Sequence, residues 1–332
     1  MRAFEYASPA TKEQAVGLLG ATWGQAEVLA GGTDLLSLMK DDVVHPKRLV
    51  NIKQIKEIDG VTPGPKGLRI GALTTLADLA DNVNVIKDYP ALAEAINDAA
   101  SPQIRNIATI GGNLCQRPRC WYFRGGFGLL PESESGKDLV ANGENRYHAI
   151  LGNNGPAKFV SPSSIAPVLI AYGAVARLIG PQGMRELSLE RFYVIPKSEN
   201  EREHDLKPNE ILAELILPPP RNLKVAHYEI RQKEAFDWPL AVAAAALNMN
   251  GTDLAGSRLV LGYVAPIPWR TEDGEAALNR KAQHGITEEA AKAAADGALQ
   301  SATPLSHNAY KVQLAKVAVK RVILKAASGS AA

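Results

Sequence analysis

Val28-Leu29-Ala30-Gly31-Gly32-Thr33-Asp34-Leu35-Leu36 and Ile107-Ala108-Thr109-Ile110-Gly111-Gly112-Asn113-Leu114 are the stretches whose reading decides the fold. Each is an apolar run that ends in a glycine pair with polar neighbours. A Gly-Gly turn lets the backbone take positive φ and brings bare N–H groups close to a ligand. Successive exposed N–H groups form a nest that suits a phosphate. Thr33, Asp34, Thr109 and Asn113 have side chains that can hold a hydroxyl or a pyrophosphate oxygen. One such pair usually marks nothing more than a chain reversal. Two of the same design, in a chain with neither G-x-G-x-x-G nor G-x-x-x-x-G-K-[ST], point to a dinucleotide held without a Rossmann fingerprint or a P-loop.

Outward from these turns, short strands and helices alternate. Thr11-Lys12-Glu13-Gln14 reads as a capping box that opens a helix through Ala15, Val16, Leu18 and Leu19. Residues 25–30 rise as a strand into the first glycine turn, a helix starts at Leu35, and residues 48–52 form another strand. Residues 67–71 alternate as a strand should, Thr75 with Asp78 caps a helix, and residues 89–99 form the next. The pattern breaks over residues 115–155. There a basic and aromatic run, Gln116-Arg117-Pro118-Arg119-Cys120-Trp121-Tyr122-Phe123-Arg124, precedes glycines and a polar turn-rich stretch. A loop this long inside a compact domain is usually functional or disordered. In a near-neutral chain the run reads as an interface or a packed loop.

Residues 167–179 form a buried helix and strand, and residues 211–217 a strand that ends at Pro218-Pro219-Pro220, the expected domain boundary. Beyond it, strands are expected at residues 226–233 and 259–264, and helices at 290–299 and 307–327, the last capped by Ser306. The alanine runs, residues 240–249 among them, read as core-packing helices. The class is α+β.

The 332 residues leave room for two or three domains at about 150 each. With 46% apolar and 22% charged residues the composition is that of an ordinary soluble protein. Net charge is +2, which argues against a nucleic-acid partner. No apolar stretch approaches the roughly eighteen residues of a membrane span. Met1 to Tyr6 lacks a basic segment followed by an apolar one, so no export signal is expected. Two cysteines, Cys115 and Cys120, exclude a disulfide framework and a zinc site with paired arms. The six histidines show no metal-ligand spacing and are expected to be surface or satisfied core residues. Asp41, Asp42, Glu132 and Glu134 are expected to be solvated loop charges, and no acid–base pair stands out.

Over nearly its whole length the chain resembles the FAD-binding medium subunit of the molybdenum hydroxylases: xanthine dehydrogenases, carbon monoxide dehydrogenases and aldehyde oxidoreductases. Ala30-Gly31-Gly32-Thr33-Asp34-Leu35-Leu36, Leu68-Arg69-Ile70-Gly71-Ala72-Leu73 and Arg105-Asn106-Ile107-Ala108-Thr109-Ile110-Gly111-Gly112-Asn113 carry the resemblance. Pro162-Ser163-Ser164-Ile165-Ala166-Pro167 and Phe236-Asp237-Trp238-Pro239 add to it. The insertion, with Asn113 to Phe123 and Gly143-Glu144-Asn145-Arg146-Tyr147-His148, looks like that of the bacterial aldehyde oxidoreductases.

The resemblance implies an FAD domain of the vanillyl-alcohol-oxidase-like type over residues 1–220. Its two subdomains would be roughly 1–55 and 56–220, with the insertion at 115–155. A C-terminal domain of three strands and a helical bundle would follow at 221–328. Carried over by position, Glu27, Val28, Leu29, Ala30, Gly31, Gly32, Thr33, Asp34 and Leu35, with Thr109, Gly111, Gly112 and Asn113, would hold the pyrophosphate and ribityl chain. Ser164 stands where the family often has aspartate. Relatives place a lysine near the flavin where this chain offers Glu229, with Arg231 and Lys233 as alternatives close by.

The same branch can carry a [4Fe–4S] cluster on four insertion cysteines. Only Cys120 matches here, while Leu130 and Ala157 fall near the others, so no cluster is expected in this chain. The implied role is electron transfer, with no catalytic acid or base. A molybdopterin-binding large subunit would oxidise an aldehyde or N-heteroaromatic, and electrons would pass through a [2Fe–2S] small subunit to FAD and an external acceptor. The insertion would pack on a partner. Location would be cytoplasmic, or periplasmic by co-export with a signal-bearing partner. Two rivals are a stand-alone flavin reductase or oxidase of the same fold, and a structural spacer with a decayed site.

Overall fold

The computed structural model describes residues 1–329 apart from 234–235 and 283–284. One histidine of the sequence reading, His284, lies outside the described residues. Three sheets organise the chain. Strands β1 (Glu5–Ala7), β2 (Ala26–Leu29) and β3 (Arg48–Asn51) form a parallel sheet in the order β1-β3-β2. Strands β4 (Val61–Gly64), β5 (Gly67–Gly71), β6 (Val175–Gly180), β7 (Gly183–Ser188) and β8 (Ile211–Leu217) form an antiparallel sheet in the order β4-β5-β8-β6-β7. The long connection from β5 to β6 carries the second glycine stretch and the insertion.

After the triple proline come β9 (Leu223–Ile230), β10 (Ala241–Asn250), β11 (Asp253–Gly262) and β12 (Trp269–Arg270), antiparallel in the order β12-β11-β10-β9. Three strands were expected here; the two-residue β12 adds a fourth. Helices Glu272–Lys281, Glu288–Ala298 and Tyr310–Ser328 pack on this sheet. Fold class α+β holds.

Strand β10 corrects the sequence reading. Ala241-Val242-Ala243-Ala244-Ala245-Ala246 is not a helix, although alanine has the highest helix propensity. Its residues are buried on both faces. Ala241, Ala243 and Ala245 pack toward the C-terminal helices, while Ala244 and Ala246 join the core around helix Ile165–Tyr172. A strand buried on both faces reads as a continuous apolar run. Small side chains let a helix pack closely on each face, and tertiary packing overrides propensity.

The last helix is corrected too. It begins at Tyr310 after Ala309, which makes no side-chain cap. Ser306 does not cap it; its hydroxyl oxygen accepts from Asn145 Nδ2 at 2.8 Å in the insertion.

Candidate functional site

The two glycine stretches meet, but not as two copies of one turn. At the first, only Gly32 takes a left-handed φ, of +77°. Gly31, Gly32, Thr33 and Asp34 lead from β2 into helix Leu35–Lys40. Among the described residues, none of their four backbone N–H groups donates to a protein acceptor. Backbone donors near a cavity are seldom left unpaired without a ligand or water to meet them. The structure thus leaves four bare amides at the turn where the sequence expects a phosphate nest.

The second stretch departs from that design. Gly111 and Gly112 lie inside the short helix Ile110–Leu114, capped by Thr109 Oγ1, which accepts from Gly112 N at 3.1 Å. Their amides are committed: Ile110 N to Thr74 O, Gly111 N to Ala72 O and Asn113 N to Thr109 O, at 2.8–2.9 Å. The second pair therefore offers no bare amides. Gly111 is needed for close approach, since a Cβ there would stand 2.7 Å from the Ala72 Cβ.

A cavity of about 170 Å³ lies between these stretches. Glu27, Val28, Ala30, Gly31, Gly32, Thr33, Asp34, Leu35, Thr109, Gly111 and Gly112 all line it. Leu29 is buried in the adjoining core. Asn113 is not on its wall; its Oδ1 accepts from Ser163 Oγ at 2.6 Å. Sequence reading missed the opposite wall, made by Trp23, Arg117, Arg202 and His204. Arg202 pairs with Glu27 at 2.5 Å and stacks over Trp23 at 4.5 Å. These residues are far apart in sequence and have no motif spacing to betray them.

Burial pushes Glu27 up to about 7; Arg117 pulls the other way and Glu203 adds to the rise. Asp34 is not free to serve a ligand. Its Oδ1 accepts from Arg119 Nη1 at 2.9 Å and Arg124 Nη2 at 2.7 Å, and its Oδ2 from Arg117 N at 2.8 Å. The basic run of the insertion is thus a packed loop along this side. Trp121, Phe127 and Tyr147 nevertheless remain exposed.

Ser164 and Glu229 lie apart from this cavity, on the side of Tyr263. The Tyr263 hydroxyl donates to the Pro162 carbonyl, close to Ser164. Tyr263 lines a second cavity of about 210 Å³, with Arg119, Trp121, Tyr147 and Trp238 among its other walls. Glu229 is buried, 3.1 Å from His227 Nε2 and 2.7 Å from Arg231 Nη2. Burial alone would raise its pKa, but His227 and Arg231 hold it below the ordinary carboxylate value. Arg231 also donates to the Asp98 carbonyl at 2.8 Å. Lys233 sits in the following loop, where its N–H donates to Asp237 at 3.1 Å.

Cys120, Leu130 and Ala157 share one apolar cluster with Phe123, Leu129 and Phe159. Burial raises the pKa of the Cys120 thiol, whose Sγ lies 3.1 Å from His148 Nε2. Burial also pushes Cys115 up to about 12. Both cysteines are therefore protonated thiols at neutral pH, which disfavours nucleophilic or metal-binding roles.

The sequence pattern described as the FAD binding domain in molybdopterin dehydrogenase matches residues 2–220. The CO dehydrogenase flavoprotein C-terminal domain matches residues 226–326. The chain belongs to the FAD-binding medium subunits of the molybdenum hydroxylases. Among these proteins it is 34% identical over 330 residues to the aldehyde oxidoreductase FAD-binding subunit PaoB of Escherichia coli K12, covering 98% of this chain and 99% of that one. It is 31% identical over 324 residues to the carbon monoxide dehydrogenase medium chain of Hydrogenophaga pseudoflava, with 96% of each covered. A solved carbon monoxide dehydrogenase from Hydrogenophaga pseudoflava superposes with a TM-score of 0.77 at 28% identity, covering 99% of both chains. The chain is accordingly an FAD subunit of the oxidoreductase class.

Within this flavoprotein two buried histidines set a pH dependence. Burial, with Lys311 nearby, lowers His148 to about 4. Burial, with Arg117 nearby, lowers His204 to about 4 as well. Both folded values lie below the unfolded value of about 6.5, so the unfolded chain binds more protons between them. Their contribution to stability is complete above pH 6.5 and is lost as pH falls toward 4. Glu27, raised in the fold, works in the opposite sense over pH 4.5–7. The clean readout is therefore a difference: His204→Phe is expected to reduce the pH slope of unfolding free energy between pH 6.5 and 4.5 by about 1 kcal/mol per pH unit. Urea titrations across that range check it, and an unchanged slope would show that His204 is charged in the fold.

Proposed function

We propose that the chain is the FAD-carrying electron-transfer subunit of a heterotrimeric molybdenum hydroxylase that oxidises an aldehyde or an N-heteroaromatic substrate. The carrying observation is the set of unpartnered amides at Gly31, Gly32, Thr33 and Asp34 on the wall of the first cavity. They fit the pyrophosphate of a dinucleotide, because an anion supplies the acceptors that these donors lack. Glu27, Val28 and Ala30 to Leu35, with Thr109, Gly111 and Gly112, line the nucleotide side, and Leu29 packs behind them. Asn113, off the wall, is fixed by the Ser163 hydroxyl. Ser164 and Glu229 flank the approach beside Tyr263 and serve the ring end. The FAD domain is taken as residues 1–220, with subdomains 1–55 and 56–220 and an insertion at 115–155. The C-terminal domain is taken as 221–328.

Bound FAD supplies a two-electron carrier. The chain's own task is to hold it, bury its phosphates and fix the ring beside a [2Fe–2S] small subunit, itself fed by a molybdopterin-binding large subunit. An external acceptor takes the electrons away. None of these roles needs a catalytic acid or base. A stand-alone reductase or oxidase is not favoured, since the relatives are named as subunits or medium chains over the full length of this one. Among the described residues no helix is long and apolar enough to cross a membrane. The compartment, cytoplasm or periplasm, follows the partner that carries the complex.

A visible spectrum and an iron assay of the purified chain test this reading. Flavin bands near about 370 and 450 nm with no iron are expected. Iron with a broad band near about 400 nm would overturn the absence of a cluster. A colourless protein that binds no added FAD would overturn the role itself.

A further inference from the structure

We propose that the insertion is a clamp on the first glycine loop: its arginines hold Asp34, and through Asp34 they hold the amides of Gly31 to Asp34 in the shape that retains FAD. This rests on the reading that FAD occupies the first cavity, and it assigns Asp34 a positioning role.

Aspartate at the start of a helix ordinarily turns its carboxylate onto the helix's own first amides. Asp34 precedes helix Leu35–Lys40 and makes no such bond. Both of its oxygens face the insertion instead, taking Arg119 and Arg124 on Oδ1 and the Arg117 amide on Oδ2. The carboxylate is only 14% exposed, so these charge-assisted bonds are weakly screened.

The arginines are themselves fixed. Arg124 also donates to the carbonyls of Pro118 at 2.9 Å and Arg117 at 3.1 Å, which closes the turn that carries it. Arg119 bonds Gln116 at 2.9 Å and stacks on Trp238 at 4.8 Å. Arg117 pairs with Glu203 at 3.0 Å and lies over Phe123. The far end of the insertion is tied to the C-terminal domain. Asn145 donates to Ser306, while Asn308 and Lys311 donate to carbonyls of residues 147–149. The clamp therefore links the nucleotide loop, the insertion and the C-terminal domain through side chains that leave the FAD-lining glycines untouched.

The test uses the full chain stripped of FAD and titrated with FAD, read by quenching of flavin fluorescence. Asp34→Asn and Arg124→Gln are expected to raise Kd about tenfold or more, and Arg124→Lys to recover part of the loss. Hydrogen exchange in the FAD-free chain is expected to quicken at Leu36 and Leu38, whose amides donate to the carbonyls of Gly32 and Asp34, while the amides of β10 and β11 stay as protected as before. That local change separates a positioning role from general unfolding. Should Arg124→Gln fail to fold, Arg119→Gln carries the same expectations. Kd values within twofold of the unsubstituted chain, with unchanged exchange at Leu36 and Leu38, overturn the clamp. An unsubstituted chain that binds no FAD rejects the functional reading, and exchange at Leu36 and Leu38 then still decides the clamp.

Discussion

Gly31→Val is expected to abolish FAD binding while the C-terminal domain stays folded. A Cβ at Gly31 would stand 2.2 Å from the carbonyl oxygen of Ile107 and 3.1 Å from the Ala108 Cα. Both are backbone atoms, so no rotamer change can relieve the contact. The clash lies where the two glycine stretches touch, and relief requires the first loop to move away from the second. The amides of Gly31 to Asp34 then lose their common direction. Overpacking of this kind costs about 1–3 kcal/mol in stability. The lost convergence adds to it, and Kd for FAD should rise at least about a hundredfold. Gly31→Ala should show the same direction with a smaller effect. Fluorescence titration checks both, and a valine variant that keeps FAD within about threefold of the original Kd would show that this loop does not hold the nucleotide.

The largest effect on stability is expected from Lys311→Met. Lys311 is 1% exposed and donates to the carbonyls of Tyr147 at 3.2 Å, His148 at 3.0 Å and Tyr263 at 2.6 Å. Three donations require the ammonium form, and the three carbonyls solvate its charge. Burial acts against that charge and pulls the pKa down, to about 7. Methionine keeps most of the volume but takes this donor from the carbonyls of Tyr147 and Tyr263, each loss costing about 1–3 kcal/mol, while the His148 carbonyl keeps its bond from Asn308 Nδ2. A loss of about 3 kcal/mol or more in unfolding free energy is expected. It should be accompanied by loosening of the insertion, because two of the three carbonyls belong to it. Lys292→Met, which breaks an exposed pair with Asp296 at 3.0 Å, should change stability by no more than about 0.5 kcal/mol. Denaturant titration of the two variants side by side checks the contrast. Equal effects would mean that the Lys311 site is wet.

Much of the fold was legible because its signals are local. Thr11 and Thr75 each cap the helix that the sequence assigns to them, since capping needs only a side-chain oxygen and an amide three residues on. The strand from residue 211 to the triple proline was legible for the same reason. Ser306 failed as a cap because a distant residue, Asn145, claimed its oxygen. The run from Ala241 failed as a helix because the choice between helix and strand was made by what packs on its two faces.

The candidate site divides in the same way. The sequence singled out the two glycine stretches, and the family resemblance carried residues 27–35 with Thr109, Gly111, Gly112 and Asn113 over to the nucleotide; in the fold all of these but Leu29 and Asn113 line one cavity. Sequence alone determined that two cysteines cannot build a four-thiolate cluster. Only the tertiary structure decided that the first pair keeps its amides free while the second spends them on Ala72, Thr74 and Thr109. Only it brought Trp23, Arg117, Arg202 and His204 to the opposite wall, and turned the insertion's arginines inward onto Asp34. Backbone freedom and capping are properties of neighbouring residues, so they can be read along the chain. Hydrogen-bond partners and burial belong to residues far apart along the chain, 175 positions for Arg202 and Glu27, and folding alone assigns them.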